Sequence, residues 1–383
     1  MKIVYLLLHD FRFASVGIEE FARRRFHFSK EYARRLALLG HEVALYVLSD
    51  EISSNQVIEV DGYKLKAFKS SFRFPPHIRF GNAHSLEAME ELDRDSPDVV
   101  HFHNYYLWNF PYVAPWVKRK RTPLVAQYHG SDPIRSLKAF WYSPSLRLCD
   151  SLLVPLRSEE RLMTRQLRIP TNRVLRFPST GVETRDFHPV GKKRSELTFL
   201  YSGRIPKPAS YRWEKAPIYL IPILRALMDQ GTRPRLIIAG DGPGLPELER
   251  AAKQFNVQDS VDFLGHVEHE KLPELYSRAT MTFVPFKVEE IGPWWDGALQ
   301  ESLACGTPVA AFNDDSPGLQ KFGVLIPTEP VAAARLIQGA VNNPAWMASV
   351  AKDGPELIRG NCEWSVLARR LDSGYSQLAG LSQ

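Results

Sequence analysis

Cysteine is scarce: Cys149, Cys305 and Cys362 stand far apart, which excludes a disulfide framework and any metal-type cysteine spacing. A reducing cytoplasm is the compartment expected. Apolar runs are short. The N-terminal stretch Met-Lys-Ile-Val-Tyr-Leu-Leu-Leu stops at His9-Asp10 and has no small-residue cleavage site, so it reads as a buried first strand rather than a membrane span or a signal. No internal repeat and no low-complexity tract stands out, which excludes a solenoid and a long disordered tail.

What is present is globular composition: 383 residues, 44% hydrophobic and 24% charged, a length that predicts two or three domains. The formal charge of +6 is uneven. Residues 1–190 hold 28 Lys/Arg against 21 Asp/Glu, and the remainder 21 against 22. That asymmetry directs the first half toward an anionic surface or ligand, the commoner alternative being a solvated basic face.

Short apolar runs alternate with segments of helical period, the pattern of parallel strands covered by helices. In the first half strands are predicted at 2–8, 42–48, 98–103, 123–128, 151–155 and 173–177. Helices fall near 18–39, 82–94, 107–120, 134–147 and 157–167, with a hairpin between Gln56 and Phe68. A polar passage at 179–195 reads as a linker. The alternation then resumes with strands at 197–203, 235–239, 261–264, 280–285 and 308–312, helices near 214–230, 244–255, 269–278 and 298–305, and helices to the end. The fold class expected is α/β: two Rossmann-like doubly wound domains facing across a cleft, 1–190 and 191–383, with the return of the last helix to the first domain left open.

Three segments of the second half can carry chemistry. Tyr201-Ser-Gly-Arg204 ends a strand and Glu214-Lys215 opens the next helix, so a guanidinium and an ammonium can meet at a strand's carboxyl edge and neutralise a leaving diphosphate. Either cation is also at home as a solvated surface charge. Gly240-Asp-Gly-Pro-Gly244 follows a buried strand, but a tight turn explains it without a ligand. Glu301 lies near the start of a helix ending at Gly306, where it can accept hydrogen bonds from a ribose diol or simply complement the helix dipole. In the first half, His101 and His103 share a strand face and read as packed histidines rather than metal ligands. Trp294 and Trp295 are as well suited to walling a sugar as to covering a loop.

The series Ser202-Gly-Arg204, Glu214-Lys215, Gly240-Asp-Gly-Pro243, Phe263-Leu-Gly265, Leu272-Pro-Glu-Leu-Tyr276 and Glu301-Ser-Leu-Ala-Cys-Gly-Thr-Pro-Val309 resembles the C-terminal domain of family 4 retaining glycosyltransferases. Gly40-His-Glu-Val43, His129-Gly130 and the linker Gly181-Val-Glu with Phe187 and Pro189 resemble the rest of that family. The resemblance implies a GT-B fold and hexosyl transfer from a nucleotide-diphosphate sugar with retention of configuration, with no cofactor and no metal. It assigns Arg204 and Lys215 to the diphosphate, Glu301 to the ribose, and Gly203, the turn at Gly265, Gly297 and Leu299 to the donor. His129 goes to the transferred sugar, and Gly17 and Asp132 to the acceptor side.

There are departures from the family pattern. Pro293 stands where the family has an acidic residue eight positions before Glu301, leaving Glu289, Glu290 or Asp296 to substitute. About six extra residues separate Arg204 from Lys215, making Lys207 a rival. Ala216 replaces a glycine, and the loop after the first strand is reduced to Val16-Gly17-Ile18. A nucleotide-sugar epimerase and a non-catalytic nucleotide-sugar-binding subunit are the competing functions. The acceptor expected is a glycan, a lipid or a small molecule, and no nucleic acid is expected as partner.

The helix at 18–39 places Phe21, Phe28, Tyr32, Leu36 and Leu39 on a core stripe and Arg23, Phe26, His27, Lys30 and Arg34 opposite. With Phe72-Arg-Phe74 and Trp116-Val-Lys-Arg-Lys-Arg121, this face suits reversible docking on an anionic membrane and a lipid-linked acceptor, in even competition with a solvated basic face.

Overall fold

The computed structural model describes the chain except for residues 11–16, 24–26, 77–81, 130–135, 192–195, 208–214, 286–295, 313–318 and 381–383; of residues 10 and 136–139 only the backbone is described. The chain forms two compact units, Met1–Ser179 with Trp364–Gln383, and Thr180–Glu363. The division therefore runs eleven residues before Val190, and the last helix belongs with the first unit.

In the first unit the elements run β1 (Lys2–Asp10), α1 (Ile18–Arg23), α2 (Phe28–Leu38), β2 (Glu42–Leu48), β3 (Gln56–Val60), β4 (Tyr63–Phe68), β5 (Phe72–Arg73), β6 (Ala83–His84), α3 (Leu86–Asp95), β7 (Val99–His103), α4 (Phe110–Arg119), β8 (Leu124–Gln127), α5 (Ser136–Leu146), β9 (Ser151–Val154), α6 (Arg157–Arg161) and β10 (Val174–Arg176). The sheet order is β10-β9-β8-β7-β1-β2-β4-β3. Its pairings are parallel except β3 with β4, the expected hairpin. β1 shows why the N-terminal run is continuously apolar: Val4, Leu6 and Leu8 enter the core on one face and Ile3, Tyr5 and Leu7 the core on the other. A central parallel strand is buried on both sides, so nothing in it alternates with polar residues.

The second unit runs β11 (Thr198–Ser202), α7 (Leu220–Asp229), β12 (Arg235–Ala239), α8 (Leu245–Gln254), β13 (Val261–Gly265), α9 (Leu272–Arg278), β14 (Met281–Val284), α10 (Gly297–Ala304), β15 (Val309–Phe312), β16 (Gly323–Ile326), α11 (Pro330–Val341) and α12 (Pro344–Asn361). Its sheet is wholly parallel, β13-β12-β11-β14-β15-β16. The final helix α13 (Trp364–Leu378) packs against α2 of the first unit, with Trp364 edge-on to Tyr32 at 4.9 Å.

Several expected elements change: a strand, β16, stands where only helices were expected after residue 312, and the helix expected at 157–167 is α-helical only to Arg161. The single helix at 18–39 is two, α1 and α2, with residues 24–26 outside the described residues. The reason for two helices is visible in Lys30, whose Nζ donates to the carbonyls of Phe21 and Ala22 at 3.0 and 2.9 Å and so satisfies the end of α1. Lys30 is thus buried rather than solvent-facing, and Leu39, expected in the core, is exposed. The helix expected from residue 82 starts at Leu86, capped by Ser85 Oγ on Ala88 N, because Ala83–His84 pairs with Phe72–Arg73 instead.

Candidate functional site

In the second unit the candidate residues collect at the carboxyl ends of β11 and β13 and along α10. β11 ends at Ser202, whose carbonyl accepts from Lys215 Nζ at 3.3 Å. Gly203 turns the chain with φ +134°, and a Cβ there would meet Lys215 Nζ at 3.3 Å; glycine supplies the left-handed backbone and leaves the ammonium its place. Lys215 is half-buried and stands 3.2 Å from Asp296 Oδ2, whereas Lys207 and Arg204 are exposed. The cation built into the strand end is therefore Lys215, and the rival Lys207 is an exposed side chain beyond the buried Ile205 and Pro206.

Asp296 is buried and caps α10 by accepting from Leu299 N at 2.8 Å. Its carboxylate is thus engaged as helix cap and as counter-ion of Lys215. Glu289, Glu290, Trp294 and Trp295 lie outside the described residues, as does Asp132. Gly297 opens α10 and Leu299 is wholly buried, so its contribution at the cap is its amide.

Glu301 is held at both oxygens. His269 Nε2 stands 2.8 Å from Oε1 and Tyr276 OH donates to Oε2 at 2.8 Å; Tyr276 OH also bonds Ser202 Oγ. Burial alone would lower the His269 pKa, but the hydrogen bond and charge of Glu301 outweigh it and the net shift is upward. Burial and the Glu301 charge push the Tyr276 phenol well above its ordinary value, so it stays a donor. The sequence gives no sign of the His269 role, because a histidine 32 residues upstream carries no local signal. Tyr276 belongs to the Leu272–Tyr276 motif, but the motif alone assigns it no role.

The glycine-rich turn after β12 is a packing device. A Cβ on Gly240 would fall 1.9 Å from the Gly203 carbonyl oxygen, and those on Gly242 and Gly244 would meet the carbonyls of Ile205 and Pro206 at 2.4 and 2.1 Å. The two loops are sewn together by Gly203 N to Ala239 O, Ile205 N to Asp241 O and Gly244 N to Ile205 O. The turn thereby fixes the path of the segment that carries Arg204. Gly265 ends β13 at φ +65° with open space around it.

In the first unit His129 follows β8. Its Nδ1 lies 2.8 Å from the Ser179 carbonyl, which can only accept, so Nδ1 carries the proton; Nε2 then accepts from His103 Nδ1 at 2.7 Å. The ring stacks on Phe28 at 4.1 Å. Desolvation lowers the His129 pKa to about 3, against a smaller upward effect of the Ser179 hydrogen bond. A neutral imidazole with both nitrogens engaged is not set up as a general base. His101 and His103 are fully buried in a stack with Tyr5, as packed histidines. Gly17 is exposed and its carbonyl accepts from Phe21 N at 2.9 Å, starting α1. Among the described residues no group of three or more metal-ligating side chains occurs.

Of the basic face expected along the first helix, Arg23 is exposed. Lys30 is internal, Arg34 pairs with Glu31 at 2.6 Å, and Phe26 lies outside the described residues. Lys118 pairs with Asp150, Arg119 and Lys120 pair with Asp93, and the Arg119 guanidinium lies 4.2 Å over Trp116. Phe72 stacks on His84 at 4.6 Å. No described helix is long and apolar enough to cross a membrane.

Two doubly wound, mainly parallel sheets, the second with Lys215 at a strand end and a buttressed glutamate on α10, define a GT-B class of protein. The profile of the "Glycosyltransferase Family 4" domain matches residues 28–184, and that of "Glycosyl transferases group 1" matches 183–345. The chain belongs to the family 4 glycosyltransferases. It is 25% identical over 405 aligned positions to a D-inositol 3-phosphate glycosyltransferase of Streptosporangium roseum, covering 90% of this chain and 86% of that one. It is 23% identical over 339 positions to an alpha-monoglucosyldiacylglycerol synthase of Streptococcus pneumoniae, covering 80% and 72%. In fold it is similar to sucrose-phosphate synthase from Thermosynechococcus elongatus, with a TM-score of 0.72 at 20% identity over 100% of both chains. It is also similar to Anabaena HepE in complex with UDP and glucose, with a TM-score of 0.67 at 12% identity over 98% and 100%.

Proposed function

We propose that the chain transfers a hexosyl group from a nucleotide-diphosphate sugar to a separate acceptor with retention of configuration and without a metal. The observation that carries this reading is the pairing, within one unit, of Lys215 set at a strand end by Asp296 with Glu301 set by His269 and Tyr276. The first suits a leaving diphosphate, with Arg204 as a second cation; the second suits a ribose diol. The bond from the anomeric carbon to phosphate oxygen breaks and the diphosphate leaves with the electron pair; the acceptor hydroxyl oxygen forms the new bond to that carbon on the same face, and its proton passes to the leaving phosphate. His129 positions the sugar when its Nε2 exchanges His103 for a sugar hydroxyl.

The relatives' names support more than one acceptor, a diacylglycerol-based lipid in one case and an inositol phosphate in another. With Lys30 buried and Arg34 paired with Glu31, a small soluble or glycan acceptor is the simpler reading, and a cytoplasmic setting fits a chain with only three cysteines, far apart in sequence. Similarity in fold to a "putative UDP-N-acetylglucosamine 2-epimerase" from Listeria monocytogenes, at a TM-score of 0.62 and 10% identity, keeps an epimerase as the competitor. Incubation of nucleotide sugars with and without a panel of acceptors decides. Acceptor-dependent release of nucleoside diphosphate supports transfer, and appearance of an epimer without acceptor overturns it.

A further inference from the structure

The face of the first sheet that lies under α13 is apolar by register. Val125 pairs with Ser151 and Leu175 with Leu153, so these residues and Phe177 share one side of β8, β9 and β10. Ser151 breaks the pattern. Its hydroxyl is buried at 7% exposure and has no hydrogen-bond partner, a state that is unfavourable unless something fills it.

Ser151 lines a cleft of about 570 Å³ between this face and α13. Three guanidiniums, those of Arg173, Arg176 and Arg370, line the same cleft. Arg370 lies 4.8 Å over the Phe177 ring and donates to the Arg176 carbonyl at 3.2 Å; Arg173 reaches the Arg147 carbonyl at 3.4 Å. Carboxylates are few here. Asp150 lines the cleft but is held by Lys118 Nζ and Leu124 N, each at 2.8 Å, and Glu160 lies 4.0 Å from Arg176. A positively charged, partly apolar recess with a hydroxyl lacking a partner asks for a small anion that also has apolar surface. The volume falls within the range of small-molecule sites.

We propose that this cleft is a binding site for a small phosphate monoester. Its dianion is met by the guanidiniums of Arg173, Arg176 and Arg370, the Ser151 hydroxyl donates to one of its oxygens, and its organic part rests on Leu153, Leu175 and Phe177. Guanidiniums match phosphate with paired donors, and a dianion relieves the repulsion among three cations sharing a recess. The site lies wholly in the first unit and is independent of the donor reading, whose cations belong to the second.

The test is calorimetric titration of the full chain with hexyl phosphate, and separately with glucose 6-phosphate, while saturating UDP occupies any diphosphate site. Hexanol serves as the uncharged control. Binding of either ester is expected, the preferred one showing whether an alkyl or a sugar group is accommodated. Affinity should fall about tenfold with removal of either guanidinium in Arg173→Gln or Arg370→Gln, both at exposed positions, and severalfold in Ser151→Ala. Arg204→Gln should leave it unchanged. No binding of either ester, equal affinity in the Arg173→Gln/Arg370→Gln variant with native circular dichroism, or hexanol binding as well as hexyl phosphate would each overturn the proposal.

Discussion

Lys215 Nζ sits 3.2 Å from Asp296 Oδ2, and the same carboxylate caps α10 through Leu299 N. One side chain thus starts a helix and fixes a cation at the end of β11, tying the geometry of a leaving-group site to a local folding signal. Removing Lys215 deletes a donor and leaves Asp296 with its cap alone. Lys215→Ala should reduce turnover on the order of a hundredfold, while Lys207→Ala stays near wild type. Steady-state kinetics with the preferred donor measure both, and the reverse ranking would move the phosphate role to Lys207.

Glu301 is oriented by two partners that do not themselves need to touch the donor. Tyr276→Phe should raise the donor KM roughly fivefold with little change in kcat, the loss of one hydrogen bond to a carboxylate. Glu301→Gln removes the charge and should raise it further. A fall in kcat at unchanged KM in both variants would place Glu301 in the chemical step instead of in ribose binding.

The strand-helix alternation makes the fold legible because buried parallel strands are written as uninterrupted apolar runs, as in β1 and β12. The pair Arg204 and Lys215 and the glutamate at 301 are legible as motif positions. What holds them is not. Asp296 and His269 act across sequence gaps that carry no local period, and Lys30 resembles a surface cation because helical spacing cannot show that its helix is broken just before it. β16 escapes sequence reading as well, because it opens on Gly323 and offers only three apolar residues before Pro327. The glycines at 240, 242 and 244 read as a turn, whereas their close approach to the carbonyls of 203, 205 and 206 is a tertiary relationship that local sequence does not encode.

Transfer should survive chelation. Arg204 and Lys215 can supply the positive charge that a divalent cation would otherwise bring to the diphosphate. Rates measured after EDTA treatment should match untreated enzyme, and loss restored by magnesium or manganese would show a metal requirement.

Lys30 is a structural residue. Its pKa is lowered by burial, and its ammonium satisfies two carbonyls at the end of α1. Lys30→Met should lower unfolding stability by about 1–2 kcal/mol and leave sedimentation with anionic vesicles unchanged. Weaker vesicle binding at unaltered stability would restore this helix to a membrane-facing role.

The pH dependence of stability should carry the signature of Glu159. This carboxyl, on α6, is buried and accepts from Tyr106 OH at 3.0 Å, and burial raises its pKa from 4.5 to about 8 despite that hydrogen bond. In the unfolded chain it ionises near 4.5, so below that pH both states are protonated and nothing is lost. Between 4.5 and about 8 the unfolded state sheds a proton that the folded state keeps, and folding weakens by roughly 1.4 kcal/mol per pH unit. Above about 8 both are ionised and the penalty is complete. Urea unfolding at about pH 5 and about pH 9 should therefore show a loss of several kcal/mol. Glu159→Gln keeps the shape and an acceptor for Tyr106 but cannot ionise, so its stability should be flatter over this interval and higher than wild type at the alkaline end. If wild type and variant show the same slope, the carboxyl is ionised in the folded protein and the buried Tyr106–Glu159 pair stabilises a charge instead of a neutral acid.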